Sequence, residues 1–164
     1  MAEAPHAESV GREPLRVLVI DAHRGVGLGL VRLVGIMPGV QVCGLVTRSE
    51  DGLACAGLTR PDVALVDAEL PGDAALATIR KLRACLPTTR VVALGLYAGR
   101  RAATLAAGAH AFVLKDAGFE ALRAAIVAGC VADGTGASAG ASSTVSNGDS
   151  ASARTPGSVR SSWV

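Results

Sequence analysis

The sequence predicts an α/β fold, a five-stranded parallel sheet with helices on both faces. Three observations lead there. The runs Val17-Leu18-Val19-Ile20, Val63-Ala64-Leu65-Val66 and Val91-Val92-Ala93-Leu94 are apolar without alternation, as strands covered on both faces are. Stretches with helical apolar spacing separate them, which is the pattern of βαβ units. Hydrophobic residues make up 50% of the chain, yet its aromatics are only Tyr97, Phe112, Phe119 and Trp163, so the core is aliphatic. A chain of 164 residues has one domain as its prior. Five units within residues 14–130 fit a single doubly wound domain of flavodoxin-like strand order 2-1-3-4-5.

The elements follow in order. The first strand is 15–20 and the first helix 24–36. Gly25, Gly27 and Gly29 weaken that helix, at about 1 kcal/mol each relative to alanine. The second strand is 40–46 and the second helix 50–59, with Ser49 as its N-cap. Gly52 stands three residues on, so no capping box forms. The third strand is 62–67, and Ala75, Ile79, Leu82 and Leu86 set the apolar stripe of a third helix over 73–85. The fourth strand is 90–95, followed by a helix over 98–107 that Gly108 stops. The fifth strand is 110–114, and the last helix, 117–129, turns Leu122, Ala125 and Ile126 inward. Residues 1–13 read as a flexible leader. Residues 131–164 are mostly Gly, Ser, Ala and Thr. They carry too little apolar surface to offset their ordering entropy and read as a disordered tail. Trp163 is the bulky exception, either a docking anchor or a chance terminal residue. The chain holds no internal repeat.

Several function classes find no support. The formal net charge is +2, with no basic stripe interleaved with aromatics, so direct nucleic-acid binding is not expected. Cys43, Cys55, Cys85 and Cys130 form no CxxC pair and have no His at zinc spacing, so they read as buried thiols. The polar N-terminus has no apolar h-region, and no apolar run reaches the roughly 18 residues of a membrane span. A cytoplasmic protein with no membrane association is expected. Gly25-Val26-Gly27-Leu28-Gly29 lies where a dinucleotide loop would sit, but Leu30 breaks the G-x-G-x-x-G spacing, and the glycines start five residues after the strand. No nucleophile–base pair suggests a hydrolase.

Three strands end on charged residues, Asp21, Asp67 and Lys115. In the order 2-1-3-4-5 the first and third strands are neighbours at the switch point, and ligands bind beyond their carboxyl ends. Asp21 and Asp67 therefore converge. Either aspartate alone is equally a turn or N-cap residue. Taken with Lys115 and the Pro71-Gly72 turn behind Asp67, they make a small polar site.

The segments LRVLVIDAH (15–23), PDVALVDAELPG (61–72), VVAL (91–94) and AGAHAFVLKDA (107–117) resemble the receiver domains of bacterial two-component response regulators. The subgroup is the one usually joined to a LuxR-type helix-turn-helix. The resemblance spans 14–130. It implies that Asp67 is the phosphoacceptor and takes a phosphoryl group from a sensor histidine kinase. It implies that Asp21, Asp67 and the backbone carbonyl of Glu69 hold a magnesium ion. Lys115 matches the lysine that pairs with phosphoryl oxygens, and Phe112 the aromatic switch. A hard cation and a lysine suit this chemistry, because a carboxylate attacking a phosphoryl group brings like charges together.

Two positions depart from the family. Ala22 stands where a second acid is usual, and Gly95 where Thr or Ser is usual. Compensation would come from the Glu69 side chain, or from His23 with a softer metal, although His at this place also occurs in the related receivers, where a structural or surface role suffices. Two functions stay open. One is a receiver without enzymatic activity or output domain, signalling through the face of the fourth helix, fifth strand and fifth helix, which carries Tyr97, Arg100 and Arg101. Its partners would be a histidine kinase, an unknown output protein and, in a homodimer, a second copy. The other is a pseudo-receiver that makes contacts independently of phosphorylation. The segment after 130 lacks the apolar periodicity of a helix-turn-helix, so DNA contact is not expected.

Overall fold

The structure, a computed structural model, describes residues 13–128. The expected leader up to residue 12, the expected tail, Cys130 and Trp163 lie outside the described residues. The strands are β1 (Leu15–Ile20), β2 (Val40–Val46), β3 (Val63–Asp67), β4 (Arg90–Gly95) and β5 (Ala111–Leu114). They form one parallel sheet in the order β2-β1-β3-β4-β5, as the sequence predicts. The helices are α1 (Arg24–Gly35), α2 (Ser49–Thr59), α3 (Ala74–Cys85), α4 (Arg101–Ala106) and α5 (Phe119–Val127).

The unbroken apolar runs divide between two faces because successive strand side chains point opposite ways. Leu18, Ile20, Ala64, Val66, Val91 and Ala93 pack with Ala56 of α2 and with Ala75, Ile79 and Leu82 of α3. Val17, Val19, Val63, Leu65, Val92 and Leu94 pack on the other side with Leu30 and Val34 of α1 and with Leu122 and Ile126 of α5. Both faces are covered by helices, and every residue of β3 is buried.

Several local expectations change. Ser49 is not the N-cap of α2. Arg48 is, because its carbonyl already accepts the Gly52 N–H at 3.0 Å, and no side chain caps the helix. The fourth helix is shorter than 98–107. Ala98–Arg100 form a 3₁₀ turn around Gly99, a residue that costs about 1 kcal/mol relative to alanine in a helix interior, and the α-helical part starts at Arg101. Gly108 follows the helix at φ +108°. The fifth helix begins at Phe119 because Gly118 sits at φ +88°. The glycine cluster of residues 25–29 lies inside α1, which removes the dinucleotide-loop alternative. Gly27 has a packing reason, since a Cβ there would stand 2.6 Å from Leu45 Cδ1. The cysteines are less buried than expected. Cys43 and Cys55 are half-buried and Cys85 is exposed at the end of α3, all three free thiols. No helix among the described residues is long and apolar enough to cross a membrane.

Candidate functional site

The sheet delivers three charged side chains to one place. Ile20 of β1 lies opposite Val66 of β3, so Asp21 and Asp67 leave adjacent strand ends together. Gly95 of β4 lies opposite Leu114 of β5, and the Lys115 N–H donates to the Gly95 carbonyl at 2.9 Å. That bond fixes where the lysine leaves the sheet. Its Nζ donates to Asp21 Oδ2 at 2.7 Å and stands 3.0 Å from Asp67 Oδ1. Both aspartates are 1% exposed. Burial pushes the Lys115 ammonium down, but hydrogen bonds to Asp21 and Asp67, together with their charges, outweigh it and hold its pKa above the ordinary value.

Backbone groups orient the carboxylates. The Glu69 N–H donates to Asp67 Oδ1 at 3.0 Å, and the His23 N–H donates to Asp21 Oδ1 at 2.8 Å. The loop after Asp67 is tied back by the Ala68 N–H, which donates to the Leu94 carbonyl at 2.7 Å. Asp67 Oδ2 is left buried with no hydrogen-bond partner among the described residues, and so is Glu69 Oε1. A buried acceptor without a partner costs about 1–3 kcal/mol. One ammonium facing two buried carboxylates also leaves negative charge unbalanced, a situation that a cation relieves. The donor set therefore fits a divalent ion of the kind the sequence leads one to expect there. Asp21, His23 and Asp67 each offer one ligand atom, all within 4.8 Å of one another. Glu69 is not in that group, so of the two compensating side chains it is His23 that stands with the aspartates. The sequence signal for it was its place two residues beyond the first strand-end acid.

The degenerate positions have visible consequences. Ala22 supplies no oxygen and lines a cavity of about 620 Å³ with Thr47, Arg48, Leu70 and Pro71. At Gly95 a Cβ would stand 2.5 Å from Phe112 Cζ and 2.8 Å from Cε2. The Phe112 ring thus occupies the space that a side chain at 95 would need, and Phe112 is 8% exposed. Beyond it, Leu96 and Tyr97 are exposed, Tyr97 at 74%, with Arg101 exposed and Arg100 half-buried at the start of α4.

Comparison with known proteins agrees with this fold. Residues 17–127 match the family described as the response regulator receiver domain. The response regulator GacA of Pseudomonas viridiflava is 36% identical over 114 residues, covering 68% of this chain and 53% of that protein. The nitrate/nitrite response regulator protein NarL of Escherichia coli (strain K12) is 31% identical over 107 residues, 64% of this chain and 50% of that protein. The chain spans about half the length of the curated relatives it matches. Among solved structures, the signal receiver domain of a response regulator NarL from Mycobacterium tuberculosis superposes with a TM-score of 0.67 at 27% identity, covering 74% of this chain and 99% of that one. A LuxR-family two-component response regulator from Aurantimonas sp. SI85-9A1 gives a TM-score of 0.65 at 25% identity, covering 70% and 84%. The match over residues 17–127, the identity to these relatives and the shared fold together show that the chain belongs to the response regulator receiver domain family.

Proposed function

We propose that the chain is a phosphoacceptor in a phosphorelay: Asp67 takes a phosphoryl group from the phosphohistidine of a sensor kinase and passes the signal on by protein–protein contact. The observation that carries this reading is Asp67 itself, with Oδ1 held by Lys115 and the Glu69 N–H and Oδ2 buried without a partner. The Asp67 carboxylate is the nucleophile. It forms a bond to phosphorus as the bond from phosphorus to the kinase imidazole nitrogen breaks. Lys115 offsets the charge that builds up when an anion approaches an anion. A magnesium ion held by Asp21, Asp67 and the Glu69 carbonyl would add a second neutralising charge on the phosphoryl oxygens. The protein is a signalling component in the cytoplasm rather than an enzyme, and its output partner, a second copy or another protein, would meet the α4–β5–α5 side.

The Gly95–Phe112 contact favours a second reading. With no hydroxyl at 95 and the ring already seated in that space, the link from phosphate to Phe112 is cut, and the face would make its contacts in one fixed state. Intact-mass spectrometry after incubation with acetyl phosphate and a divalent cation separates the two. The first reading expects one added phosphoryl group in the wild type and none in Asp67→Asn. An unlabelled wild type, with both acetyl phosphate and phosphorylated histidine kinases as donors, would establish the second.

A further inference from the structure

We infer that the pocket beyond β1 and β3 is a site for a first-row transition-metal ion, with His23 as a ligand in place of the acid missing at position 22. The inference deepens the phosphoacceptor reading, from which it takes the need for a cation. Its ground is the inventory of donor atoms. Lys115 uses Asp21 Oδ2 and Asp67 Oδ1. Among the described residues, that leaves Asp67 Oδ2, buried and without a partner, and Asp21 Oδ1, which accepts the His23 N–H alone. His23 Nδ1 stands 3.9 Å from that same Oδ1. These side chains supply three ligand atoms within 4.8 Å, two carboxylate oxygens and one imidazole nitrogen.

Chemistry decides the ion. Magnesium takes oxygen ligands almost alone and gains little from an imidazole. Manganese, cobalt, nickel and zinc accept imidazole readily, with affinity rising from manganese toward the later metals. An acid at position 22 would have kept the set all oxygen. Alanine there leaves the nearest further donor as a nitrogen. The backbone of His23 is pinned at the start of α1 by its bond to Asp21, while its ring is 68% exposed. The ring can therefore turn toward the pocket without disturbing the core. Because the ring is exposed, replacing it leaves the fold intact.

The experiment is calorimetric titration of the full chain with magnesium, manganese and cobalt(II), on wild type, His23→Gln and Asp67→Asn, with the cobalt visible spectrum as a second readout. The wild type should bind cobalt at least about tenfold more tightly than magnesium. His23→Gln should lose that preference and keep its magnesium affinity and its thermal melt. Asp67→Asn should weaken every metal. Equal affinity for magnesium and cobalt, or a cobalt affinity and spectrum untouched by His23→Gln, would overturn the assignment. Acetyl phosphate labelling of the same samples keeps the two ideas apart. Labelling with magnesium and no effect of His23→Gln sinks the metal assignment alone. Tight, His23-dependent cobalt binding with no labelling under any metal sinks the phosphoacceptor reading alone.

Discussion

Lys115 carries two partners at once, bridging Asp21 and Asp67 with a side chain that is 9% exposed. Removing one member of a buried ionic cluster strands the others, at about 3 kcal/mol or more. Lys115→Met should therefore lower stability by about 3 kcal/mol in urea melts at neutral pH, and millimolar divalent cation should recover part of the loss. The raised pKa fixes the sign of the pH effect. The lysine's contribution is complete below its ordinary value of 10.5 and is lost as pH rises through the higher folded value. Melts of the wild type should fall on that alkaline side, and those of Lys115→Met should not. This cluster was legible in the sequence, because a strand that ends on a charge in a known strand order places that charge. His23 was less legible. It follows the strand instead of ending it, and only the fold back toward Asp21 brings its ring close.

Helices were readable wherever the apolar stripe was long. The α3 stripe of Ala75, Ile79 and Leu82 is wholly buried. Ends were less so. Ser49 carries the preferred N-cap chemistry, yet the backbone ladder begins one residue earlier at Arg48. Composition also treated all glycines of α1 alike, whereas packing separates them. A Cβ at Gly29 would meet nothing within 4 Å, while one at Gly27 would strike Leu45. Gly29→Ala should raise stability by about 0.5–1 kcal/mol. Gly27→Ala should lower it by about 1–3 kcal/mol, since the gain in helix propensity is smaller than the overpacking it causes. Thermal melts of the two single variants would show opposite signs. Equal shifts would mean that α1 and β2 are less closely packed than the structure has them.

At the scale of the whole molecule, the two ends of the sheet carry different electrostatics. The carboxyl end holds the acids and Lys115. At the amino end, His110 Nδ1 accepts the Val91 N–H at 2.9 Å and lies near Arg83 and Arg90. Burial and then these two guanidinium groups hold its pKa below the ordinary 6.5. A lowered histidine pKa means that the folded state resists the proton that the unfolded chain takes up. Stability is thus complete above pH 6.5 and falls as pH drops from there toward the lower folded value. Urea midpoints should decline across that window, His110→Asn should flatten the decline, and salt should shrink it by screening the arginines. The global topology was legible because strand count and spacing admit few alternatives. The amino-end pairing was not, since nothing local in the sequence marks His110 as a partner of Val91.

The seat of Phe112 against Gly95 also couples two positions that lie apart in the chain. With the ring in place, a side chain at 95 arrives in occupied space, so Thr or Ser there requires the Phe112 ring to swing out of its seat. A hydroxyl at 95 and the ring in its present seat are thus mutually exclusive occupants of one space, and descent that restores the first must also re-seat the second.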